Sequence, residues 1–70
     1  MICRWEKPDP AQSHWLYVDA EDLVVAEVWR DGLVWRVDLR NGSPERMLAW
    51  HSQRFFTAEA AQAAMEKVLA

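Results

Sequence analysis

The sequence is poor in the residues that small proteins use as staples. It has one cysteine, Cys3, so no internal disulfide can form. No Cys/His spacing builds a zinc framework around that cysteine. Glycine occurs twice and proline three times, which excludes collagen-like and low-complexity chains. Both glycines, Gly32 and Gly42, fall at predicted turns and leave no Gly-rich phosphate loop. No apolar run reaches the roughly 18–20 residues that cross a bilayer. The opening residues, Met-Ile-Cys-Arg-Trp-Glu-Lys-Pro, do not have the pattern of a signal peptide, so a cytoplasmic protein is expected. Bases are also scarce: 8 Lys and Arg stand against 11 Asp and Glu, a net charge of −3. That balance argues against a general polyanion binder.

Apolar side chains, by contrast, are abundant. They make up 51% of the 70 residues and include five tryptophans. Such a chain folds, as one small domain that buries only about 60% of its unfolded surface. Residues 1–13 read as an extended N-terminal segment, with the two prolines of Lys7–Ser13 marking a loop. Residues 14–70 read as a single sheet-plus-helix domain.

His14–Val18 and Leu23–Arg30 are aromatic and β-branched and read as strands, joined by the polar turn Asp19–Asp22. Asp31-Gly32 between apolar runs predicts a type I′ hairpin. A loop of those two residues would pair Arg30 with Leu33, Val28 with Trp35 and Ala26 with Val37. It would set Trp29 against Val34 and Glu27 against Arg36 on the opposite face. Asn41-Gly42-Ser43-Pro44 predicts a second turn. A further strand would follow, with Leu48 and Trp50 on the core face and Met47, Ala49 and His51 on the other. Thr57 is placed to cap a helix over Ala58–Ala70, in which Ala61, Ala64, Met65, Val68 and Leu69 form one apolar stripe. The expected fold is α+β: an antiparallel β-meander of three to four strands with one C-terminal α-helix packed on one face.

One helix covers one face. The other face is expected to carry Leu16, Val18, Leu23, Val25, Trp29, Val34, Met47 and Ala49 among charged residues, too apolar a surface to lack a use. Trp, Met and Arg together are the composition of protein interfaces. Residues 1–13 could instead fold back and cover this face with Ile2 and Trp5, or two copies could pair through it.

Catalytic and metal chemistry finds no footing. The acidic cluster Asp19, Glu21 and Asp22 reads first as a solvated turn. His14 and His51 lie far apart in sequence, and Cys3 has no preorganised base. No enzyme, cofactor, metal or small-molecule substrate is expected.

Trp35-Arg36-Val37, Gly42 and Phe56-Thr57-Ala58-Glu59-Ala60 resemble the sheet-plus-helix modules of phage integrase arm-binding and AP2-type domains. That resemblance implies DNA contact through Arg36 and Arg40 on a sheet face. Glu27, Asp38 and Glu45 interrupt the arginines, however, and break the positive field such binding needs. The leading expectation is a small acidic protein-binding module, an inhibitor or accessory factor of a nucleic-acid-handling complex. It is similar to phage anti-CRISPR proteins in size and charge. Its expected contact residues are Trp29, Val34, Arg36, Arg40, Met47 and His51, with Asp19, Glu21 and Asp22 as a phosphate-mimicking patch. A DNA-binding sheet and a homodimeric accessory protein are the alternatives.

Overall fold

A computed structural model describes residues 2–40 and 42–69. Asn41 of the second expected turn and Ala70 at the end of the expected helix lie outside them. The elements in order are β1 (Arg4–Glu6), β2 (His14–Val18), β3 (Val24–Asp31), β4 (Val34–Leu39), α1 (Pro44–His51) and α2 (Ala58–Val68). The four strands form one antiparallel sheet in the order β1-β2-β3-β4, a meander with a C-terminal helix.

The central hairpin forms with its faces as expected and its pairs displaced. Asp31 pairs with Val34, so the loop is Gly32-Leu33 and not Asp31-Gly32. Gly32 has φ +64° and Leu33 has no positive φ, the pattern of a type II′ turn, in which glycine comes first. Each partner moves by two residues: Val28 faces Val37, Ala26 faces Leu39, and Trp29 faces Arg36. A shift of two leaves every side chain on its expected face, because side-chain direction alternates with period two.

Ala26, Val28, Val37 and Leu39 on one face bury themselves against Ala61 and Met65 of α2. Thr57 caps α2 as expected, its hydroxyl accepting from the Ala60 amide at 3.1 Å. Ala64, Val68 and Leu69 complete the expected stripe and pack against this core.

The segment after Gly42 differs from expectation. It is helix α1, not a strand. Ser43 accepts from the Arg46 amide, Pro44 takes the first helical position, and Glu45 sits in the first turn, all favourable at a helix start. α1 lies along β4, with Met47 and Trp50 turned to the core. Met47 therefore does not stand on the sheet as the strand reading placed it, but lies on α1 in a shallow groove beside Asp38 and His51. After α1 the chain returns to the sheet, where Phe55 and Trp35 exchange two backbone hydrogen bonds of 2.7 and 2.9 Å.

The N-terminal segment does not fold over the open face. Its strand β1 extends the sheet, and Trp5 falls on the core side, stacked on Tyr17 at 4.3 Å with its indole N–H donating to Glu66. Burial, then the nearby Cys3 and Glu66, push the Tyr17 phenol above its ordinary pKa. Ile2 remains exposed.

Candidate protein-binding face

The face away from α2 is set by the register. His14, Trp29 and Arg36 are neighbours across β2, β3 and β4, and Leu16, Glu27 and Asp38 form the next row. A shallow depression of about 610 Å³ lies over His14, Trp29, Glu27 and Asp38 of these rows. Gln12, Ser13 and His14 bound it on the β2 side and His51 on the α1 side, with Trp29, Glu27 and Asp38 between them. Among the described residues, nothing in the chain covers Trp29 fully; it is half-buried, as are Leu16 and Val34.

Arg36 organises the centre. Its guanidinium lies 6.0 Å from the Trp29 ring, within reach of a cation–π attraction. One amino group faces Asp31 at 3.4 Å, and the other donates to the His51 carbonyl at 3.1 Å. That same amino group is 3.3 Å from His51 Nε2, while His51 Nδ1 is 3.4 Å from Asp38. A guanidinium can only donate, so Nε2 accepts and Nδ1 carries the ring proton toward the carboxylate. Arg36 Nε is buried without a partner.

Farther along the face, Arg40 pairs with Glu27 at 2.5 Å, and that bond holds its guanidinium pKa above the ordinary value. The face is therefore electrostatically closed: its arginines and carboxylates neutralise one another in place. It offers aromatic surface and a rim of hydrogen-bonding groups, not a field of one sign.

The apolar area is smaller than the sequence suggests. Val18 and Val25 are 3% exposed, outside the α2-facing core. Arg4 stands opposite Val18, and the Arg40 amide bonds to the Val25 carbonyl, which brings two long methylene stems to this end of the face. At the other end, Leu33 and Phe56 are almost fully exposed, at 88% and 86%. Phe56 follows the residue that pairs with Trp35, next to Val34.

The expected acidic patch does not assemble. Asp19 is buried and spent within its own turn, where its carboxylate accepts from the amides of Glu21 and Leu23 at 2.9 and 3.0 Å. Asp22 is held by Arg4. Only Glu21 stands free among the three. The three carboxylates therefore do not act as a row of phosphates, and Asp31, the acid of the next turn, lies at the opposite end of β3 and cannot extend them.

Of the expected contact residues, the structure brings together Trp29, Val34, Arg36 and His51, with Arg40 farther along the same face. It turns Asp19 and Asp22 to other partners, and it packs Met47 against the core while leaving it in a shallow groove beside Asp38 and His51. His14, Glu27 and Asp38 join the site. The alternation of β3 and β4 already placed the last two on this face, and His14 enters by pairing with Trp29.

Among the described residues no three His, Cys, Asp or Glu side chains gather as a metal would require, and no helix is long and apolar enough to cross a membrane. Comparisons with protein-family models, curated proteins and solved structures found no match.

Proposed function

We propose that this chain is a non-catalytic protein-binding module that docks a protein partner on the open sheet face, centred on Trp29 and Arg36. The observation that carries this reading is a half-buried tryptophan, 6.0 Å from the Arg36 guanidinium, that lines a shallow polar-rimmed depression which no other part of the described chain fills. Trp and Arg are the residues that dominate interface energetics when a partner excludes water from around them. The internal pairing of Arg36 and Arg40 with Asp31 and Glu27 disfavours the DNA-binding reading, because phosphate contact needs cations that are free to release counterions. The net charge of −3 acts at long range and not through this internally paired face, and it draws the molecule as a whole toward a basic partner such as a nucleic-acid-handling protein. In that setting the module acts as an inhibitor or accessory factor, in the manner of small acidic phage proteins of the anti-CRISPR kind.

Co-purification from the native cell tests the proposal. The wild-type chain and a Leu48→Ala control are expected to retain one stoichiometric protein, and Trp29→Ala and Arg36→Glu to lose it while keeping their far-UV spectra. A partner retained by both face variants, or a shift of mixed duplex DNA that Arg36→Ala abolishes, would overturn it.

A further inference from the structure

We propose that the chain self-associates through the free edge of β1, which pairs antiparallel with β1 of a second copy to give one continuous sheet. The two edges of this sheet are treated differently. At the β4 edge α1 packs against the strand, and the backbone pair with Phe55 closes it at Trp35. β1 pairs only with β2, so the amides and carbonyls on its other side have no strand beside them among the described residues.

The sequence of that edge is complementary to itself. β1 reads Arg4-Trp5-Glu6. An antiparallel pair of copies with Trp5 on the two-fold axis sets Arg4 of each against Glu6 of the other, on the face away from α2. Within one copy Arg4 already pairs with its own Glu6 at 2.8 Å and with Asp22, so the two cross-strand pairs join existing ion pairs into one alternating network and do not engage free charges. The contact is isologous, as a closed dimer requires. On the α2 face the same register places the two Trp5 side chains beside each other. Each is already stacked on its own Tyr17 and fixed by Glu66, so a row of four aromatic rings forms without rearrangement. β1 contains no lysine, no proline and no bulge; its shortness and its two charged residues are what guard the edge, and in the antiparallel register those charges meet opposite partners. Lys7 and Pro8 end it, which limits the pairing to a few residues and makes the dimer weak and concentration-dependent. This contact uses the sheet edge, meets the open face only at Arg4 and Glu6, far from Trp29 across the sheet, and stands whether or not that face binds a partner.

Sedimentation of the full chain under reducing conditions, up to about 1 mM, tests it. The wild type is expected to shift from monomer to dimer over that range. Arg4→Glu leaves two acids on the edge and Glu6→Arg two bases. Each alone should weaken self-association by about tenfold or more, and an equimolar mixture of the two should recover a dimer. Amide exchange supplies a readout without variants: protection at residues 4–6 of the wild type should rise with concentration. A wild type that stays monomeric throughout would overturn the proposal. So would a dimer indifferent to both charge reversals, or one that Trp29→Ala dissolves, which would place the contact on the open face. A mixture of folded reversal variants that fails to associate would overturn it as well.

Discussion

Asp19 shows how a residue chosen for one role serves another. Acidic, in a turn and close to two further acids, it looks like part of a charged patch. Its burial and its two amide contacts make it instead the clasp of the β2–β3 turn. The turn also holds Asp22 at φ +63°, a left-handed conformation that aspartate tolerates better than most residues. Removing the carboxylate leaves the Glu21 and Leu23 amides without their acceptor in a part-buried position. Asp19→Ala is therefore expected to cost about 1–3 kcal/mol in urea unfolding, and Glu21→Ala less than about 0.5 kcal/mol. Equal effects of the two would show that Asp19 is a surface charge after all. Its true role was not legible in the sequence because burial of a turn carboxylate depends on how the chain closes around it, and residue type records only its charge.

At the scale of elements, what was legible depended on how many residues carried the signal. β2, β3, β4 and α2 each extend over enough positions for periodicity to show. β1 has three residues, two of them charged, and shows none. The Asp31-Gly32 signal located the hairpin but not its loop, since glycine can hold the first or the second central position; parity nevertheless kept Trp29 and Arg36 on the correct face. α1 was misread because Leu48 and Trp50 alternate like a strand after a turn. Ser43-Pro44-Glu45, a cap, a preset φ and a favourable charge, outweighed that alternation. α1 fully buries none of its residues, so its start signal matters more than it would in a core helix. Ser43→Ala is expected to cost about 1 kcal/mol and to raise amide exchange across 44–51 while β2 and β3 keep their protection. Unchanged exchange in α1 would mean that Met47 and Trp50 hold the helix without its cap.

The whole molecule is a slab of 30 × 29 × 16 Å, thin because it has only two layers. Its core is correspondingly small, with Leu39, Met65, Val28 and Val37 as the largest side chains fully shut away from water. A domain of this size has a total stability near the lower end of the usual ~5–15 kcal/mol. Leu39→Ala, which opens a cavity between sheet and α2, is expected to remove about 2–5 kcal/mol of it and so to unfold a large share of the molecules near body temperature. Leu48, 68% exposed, should tolerate alanine within about 0.5 kcal/mol. Trp29 is the informative third case. It is as large as any side chain in the protein, yet it lies on the uncovered layer, where water already reaches it. Its truncation is expected to destabilise well below Leu39→Ala in the same unfolding experiment, since little of its surface is lost to a closed cavity. If Trp29→Ala instead matches Leu39→Ala, the tryptophan contributes to folding rather than to recognition, and the open face loses its claim to be a binding surface.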